Sequence, residues 1–209
     1  MIAEISTEEK ILIAAKKIFL KKGWDGARMQ DIADEAGINK ALLHYYFRNK
    51  EKLFTNVFSG FIGKLVPNIN KIIDSEAHLF QKIEAIIEAY INFLMENPEI
   101  PLFVANELSK NPDLIIGVIQ KNGEVPLFKS LALEIMQAIE KGEIRPITPI
   151  HLLINIVSMC VFPFIGKPII QNILVDIPDA LFQELLLQRK KEVYQTIILS
   201  LTNTSGLNK

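Results

Sequence analysis

Between Arg28 and Lys50 the chain gathers side chains that donate hydrogen bonds or carry positive charge: Arg28, Gln30, Asn39, Lys40, His44, Tyr45, Tyr46 and Lys50. Donors of this kind meet the acceptors of a nucleic acid, the phosphate oxygens for register and guanine O6 or N7 for sequence. Ala41 and Leu42 stand among them. A small residue lets the backbone approach closely, and a leucine can meet a thymine methyl. Other chemistry finds little material. His44, His78 and His151 show no paired ligand spacing, so no metal is expected. No glycine-rich phosphate loop and no nucleophile with its base is visible, so neither a cofactor nor catalysis is expected. Glu84 and Glu88 fall one helical turn apart and read as a solvated face.

The donors need a scaffold that holds them proud of the surface. Ile32, Ala33 and Ala36 recur at helical spacing ahead of Gly37-Ile38. Gly37 permits a positive-φ turn at little steric cost. Asn39 suits an N-cap, Leu43 and Phe47 fall four apart, and Lys50 opens a further helix. Two short helices joined this tightly present the second one outward, a helix-turn-helix arrangement. In front of them Ser6 and Glu9 form a capping-box pattern. Ile11, Ala14, Ala15, Ile18 and Phe19 make one apolar face, and Gly23 reads as a stop. On this arrangement Lys40, Ala41 and Leu42 are the base-reading candidates, while His44, Tyr45, Tyr46, Lys50 and Arg28 are candidates for phosphate.

These residues resemble the TetR family of transcriptional regulators. Asp31-Ile32-Ala33, Ala36-Gly37-Ile38, Phe47 and Lys50-Glu51-Lys52-Leu53 stand at the family's spacing, over a stretch from Ile11 to Phe58. Arg28 stands where the family often has threonine, Asn39 for a common serine, Leu42 for a common threonine and His44 for a common tyrosine, so the operator sequence does not carry over. The resemblance implies a reader joined to a helical core that binds a regulatory ligand and dimerises through its last two long helices.

Composition agrees with a folded helical chain. Of 209 residues 49% are hydrophobic, enough to fill a sizeable core. Residues 1–53 carry ten Lys or Arg against eight Asp or Glu, and residues 54–209 carry thirteen against sixteen, so the mild positive excess lies at the reader. The single cysteine, Cys160, excludes an internal disulfide and suits a reducing compartment. No signal-peptide core appears near Met1, so a cytoplasmic location is expected. Ile150 to Ile165 is the longest apolar run, but it is interrupted by His151, Asn155, Ser158 and Pro163 and is shorter than the roughly 20 residues that span a bilayer.

Helices are expected over Glu51–Ile73 with a break or bend at Pro67, Leu79–Met95, Pro101–Ser109, Asn111–Lys121, Pro126–Lys141, Ile150 to about Pro163, and Asp179–Leu201. Asn122-Gly123 reads as a break and Asn203–Lys209 as a polar tail. No run reads as a strand. The expected fold is all-α: a three-helix DNA-binding domain over 1–53 and a larger ligand-binding and dimerisation domain over 54–209. Leu152, Leu153, Ile156, Val157, Cys160 and Val161, with Leu181, Leu185, Leu186, Val193, Ile197, Ile198 and Leu201, supply the apolar surfaces for a homodimer.

Tyr90, Phe93, Phe103, Asn106, Asn155 and Met159 are the candidates for a ligand site, a greasy lining with sparse polar groups that fits a small apolar or aromatic effector. The expected function is a ligand-responsive repressor that binds a pseudopalindromic double-stranded DNA operator as a dimer. A helical protein-binding adaptor, or an enzyme on the same scaffold, is the alternative.

Overall fold

The computed structural model describes residues 5–121 and 126–202; the expected Asn122-Gly123 break and the tail from Asn203 lie outside them. Every regular element in the described residues is helical: α1 Thr7–Gly26, α2 Met29–Glu35, α3 Lys40–Tyr46, α4 Lys50–Ile73, α5 Leu79–Glu96, α6 Ile100–Lys110, α7 Pro112–Lys121, α8 Pro126–Glu140, α9 Pro149–Ile165, α10 Lys167–Ile169 and α11 Asp179–Leu201. A π turn, Ile170–Leu174, follows α10. The chain divides into two compact units, residues 1–64 with 102–124 and residues 65–101 with 125–209.

In the first unit, α1 starts on the expected capping box. Ser6 Oγ accepts from the Glu9 N–H at 3.2 Å, and the Glu9 carboxylate accepts from the Ser6 N–H at 2.9 Å. These bonds hold the Glu9 carboxyl below the ordinary glutamate value. Gly23 takes φ 69° and kinks α1, but one more turn follows to Gly26, three residues past the expected stop. The core of the unit joins Ile11, Ile18 and Phe19 of α1 to Ile32, Leu43, Phe47 and Phe54. Phe58 and Phe103 stack with centroids 4.5 Å apart, and Phe54 lies 4.4 Å from Phe58. Burial of aromatic side chains of this size is the main favourable term holding so small a unit.

In the second unit, α5, α8, α9 and α11 pack around Ile83, Ile87, Ile91, Ile135, Leu152, Ile156, Val193 and Ile197. Lys82 of α5, 7% exposed, pairs with Glu134 of α8 at 2.8 Å, which removes the need to bury an unpaired ammonium. A second cluster gathers Leu94, Phe164, Phe182 and Leu186. Two prolines stand inside helices. Pro67 does not interrupt α4, which runs on to Ile73. Pro163 does not end α9, which continues to Ile165, and the Met159 carbonyl that Pro163 leaves without an N–H accepts from Arg189 on α11 instead. The short α10 and the π turn were not expected from the sequence. Among the described residues no single helix is long and apolar enough to cross a membrane; α9 and the segment Lys167–Leu174 would pass only as a pair bent by 62°.

The proposed dimer surface needs correcting. Leu152, Ile156, Cys160, Leu186, Val193, Ile197 and Leu201 are buried in the protomer's own core. Val157 and Leu181 of the expected set are exposed, and other exposed apolar residues join them: Ile150 and Ile154 stand with Val157 at i, i+4 and i+7 on the outer face of α9, which also exposes Phe162 and Ile165, and Leu187 and Leu199 are exposed on α11. On α9, apolar on nearly every side, periodicity is unable to choose the inward face.

Candidate nucleic-acid interface

The turn before α3 is built from two local devices. Gly37 adopts φ 68°, and the chain folds back so that the Ile38 N–H reaches the Ala33 carbonyl at 3.0 Å. Asn39 Oδ1 then accepts from the Leu42 N–H at 2.8 Å and caps α3. Of the seven residues of α3 only Leu43 is buried, and Phe47 follows it inward. Lys40, Ala41, Leu42, His44, Tyr45 and Tyr46 are all exposed. Tyr45 is 81% exposed and its ring stands perpendicular to that of Tyr46, 5.4 Å away. An aromatic ring this open to solvent, whose edge-to-face partner is itself exposed on α3, has the form of a contact residue rather than of a core one.

The flanking groups are placed unevenly. Arg28 is exposed at the N-cap of α2, with its backbone N–H bonded to Asp31 at 3.3 Å. Gln30 is exposed and donates to Asp34 at 2.7 Å. Lys22 pairs with Asp31 at 2.8 Å, tying α1 to α2 and lowering the Asp31 carboxyl below its ordinary value. His44 Nδ1 lies 3.2 Å from the Arg48 carbonyl, so this nitrogen is the donor and Nε2 is left outward. Lys50 has protein partners: its ammonium donates to the carbonyls of Trp24 at 2.7 Å and Ala27 at 3.1 Å and lies 4.4 Å from the Trp24 ring centroid. Asn49 caps α4 by accepting from the Lys52 N–H at 2.8 Å, a role that Asn ahead of a Lys-Glu-Lys run signals.

The proposed ligand residues are dispersed. Tyr90 lines an apolar cavity of about 150 Å³ in the second unit, together with Leu65, Ile69, Ile83, Leu131 and Leu152. Burial, with a smaller contribution from Cys160, raises the Tyr90 hydroxyl to about 12, so it stays neutral. Phe93 packs beside Phe164 and Phe182, and Met159 packs on the main core. Asn155 is exposed on α9. In the first unit Phe103 stacks on Phe58 and Asn106 is exposed. The cavity's aliphatic lining is the part that sequence reading missed; Leu65, Val66 and Ile69 carried the signal, an apolar i, i+1, i+4 set in the C-terminal half of α4.

Residues 11–57 match the model of the bacterial regulatory proteins of the tetR family, the stretch that contains this turn, its cap and the exposed helix. This stretch is thus similar to the DNA-binding region of TetR-family regulators. It is 31% identical over 85 residues to the HTH-type transcriptional activator FasR of Mycolicibacterium smegmatis, covering 41% of this chain and 39% of FasR. The aligned stretch is therefore well under two thirds of that relative's length. The probable HTH-type transcriptional regulator YttP of Bacillus subtilis is 22% identical over 96% of this chain and 100% of its own. The crystal structure of HlyIIR, a hemolysin II transcriptional regulator, superposes with a TM-score of 0.61 at 25% identity, covering 95% of this chain and 98% of that one. The all-helical architecture is thus that of TetR-family structures.

Proposed function

We propose that this chain is a homodimeric TetR-family repressor that binds a pseudopalindromic DNA operator through α3 and is released by a small uncharged apolar or aromatic effector. Residues 1–53 read DNA, and residues 54–209 bind the effector and the second protomer. The observation that carries the reading is the exposure of six of the seven α3 residues around a single buried anchor, Leu43. Lys40 and Leu42 supply base contacts, and Arg28, Tyr45 and Tyr46 supply phosphate contacts that set register. The similar HTH-type transcriptional regulators support regulation of transcription, and the location that goes with it is the cytoplasm.

The outward stripe Ile150, Ile154 and Val157 supports the second protomer, since a covered stripe of this kind removes apolar surface from water. The 150 Å³ cavity supports the effector. Its lining holds no charged side chain, and an unpaired carboxylate buried there would cost several kcal/mol. A cavity of about 150 Å³ is of the size that admits a benzene-like molecule. The effector acts by binding more tightly to the form that cannot dock than to the form that can.

The test is a titration of the full-length protein against duplexes that it selects from a randomised pool, over a salt series. Saturable binding whose logarithm falls linearly with the logarithm of salt is expected. Weak, sequence-indifferent association would instead support the adaptor reading.

A further inference from the structure

Trp24 is the only tryptophan of the chain, and it stands at the corner between α1 and α2, directly after the positive-φ Gly23. Its backbone is held from both sides. The Glu107 carboxylate on α6 accepts from the Trp24 N–H at 3.0 Å, while Lys50 on α4 donates to the Trp24 carbonyl at 2.7 Å and covers the indole ring. Lys50 also reaches the Ala27 carbonyl, the last residue before α2 and its N-cap.

Glu107 is 2% exposed, and its second oxygen accepts from Asn111 Nδ2 at 3.0 Å. Desolvating a carboxylate is costly, and an aliphatic residue would fill the same space without that cost, so packing does not explain its presence. The bond to Trp24 does. Gly23 belongs to the same device: a Cβ there would lie 2.9 Å from Glu107 Oε1, so glycine supplies both the left-handed backbone and the room for the oxygen.

We propose that Glu107 and Lys50 are positioning residues that bracket Trp24 and thereby set the angle at which α2 and α3 leave the corner. This rests on the reading of α3 as the DNA-contacting helix. Both residues stand on helices whose chain continues from one compact unit into the other, α4 after residue 64 and α6 before residue 102, so the corner is gripped by the two helices that link the units.

The experiment compares full-length Glu107→Ala, Glu107→Gln and Lys50→Ala with the unsubstituted protein, using the duplex that the latter selects from a randomised pool. Losing a hydrogen bond to a charged group lowers affinity about tenfold in Glu107→Ala and Lys50→Ala. Glu107→Gln keeps an acceptor oxygen and stays within about threefold. The slope of log affinity against log salt is unchanged in all three, whereas loss of a phosphate contact lowers it by about 1. Without DNA, Trp24 emission and its acrylamide quenching change in the two alanine variants while far-UV circular dichroism does not.

An unaltered affinity in Glu107→Ala, a salt slope lowered by about 1 in Lys50→Ala, or helix content lost in parallel with affinity overturns the bracket. Failure of the unsubstituted protein to select any duplex overturns the DNA reading itself. Normal selection with an unaffected Glu107→Ala overturns the bracket alone.

Discussion

Arg189 Nε and Nη2 both donate to the Met159 carbonyl at 3.3 Å, and Met159 is the residue whose i+4 partner is Pro163. A proline inside a helix frees one carbonyl, and a freed carbonyl in the interior must find another donor. Here the donor comes from the neighbouring helix, so the break in one backbone ladder becomes a cross-link between α9 and α11. Arg189→Met therefore destabilises the protein by about 1–3 kcal/mol in chemical denaturation. In a Pro163→Ala background the Ala N–H reclaims Met159, and the same substitution costs less. Strict additivity in this double-mutant cycle would separate the two residues.

Alkaline pH tests the second unit's interior. Burial raises the Cys160 thiol to about 12, against the opposing pull of Arg189, and Tyr90 is likewise raised to about 12. In the unfolded chain both groups ionise at their ordinary, lower values. A raised folded value means stability that is complete below the unfolded value and is lost as pH climbs towards the folded one. Denaturation midpoints are therefore expected to fall progressively from about pH 9 towards 12. Native Cys160 is expected to resist thiol reagents at pH 8 and to react after unfolding. Full reaction of the native protein would contradict its burial.

The proposed dimer surface has its own test. Ile154 is 52% exposed on the outer stripe of α9. Ile154→Glu is expected to give monomers in sedimentation with the protomer's circular dichroism intact, because a charge is placed where a second protomer would bury it. An unchanged dimer would move the interface elsewhere.

How far the sequence reached depends on which signals are local. The capping box at Ser6, the left-handed Gly37, the Asn39 cap and the Leu43–Phe47 anchor each need only a few neighbouring residues to act, and each stands as the residue types imply. The exposed donors of α3 follow from them. What was not legible depends on partners far along the chain. The carbonyls that Lys50 holds, of Trp24 and Ala27, lie 26 and 23 positions back along the chain, and Glu107 looks like one more acidic residue until Gly23 leaves it room. Pro163 reads as a helix end because its rescuer, Arg189, is 26 positions away. The inward face of α9 was misjudged for a related reason: a helix apolar nearly all round carries no phase.

Base reading is separable from backbone contact at Lys40. Lys40→Ala is expected to change preference at one operator position by about 1–3 kcal/mol, measured by competition between duplexes that differ at single base pairs. Equal loss on every duplex would make Lys40 a phosphate contact.

In the proposed function two copies of α3 enter neighbouring major grooves on one face of a duplex. A hydroxyl-radical footprint of the full-length protein on its selected duplex measures this directly. Two protected half-sites related by a pseudo-twofold are expected, centred about 34–36 Å apart or at a multiple of that spacing, and lost together in Leu42→Glu. One protected half-site, or protection that survives Leu42→Glu unchanged, would contradict the account.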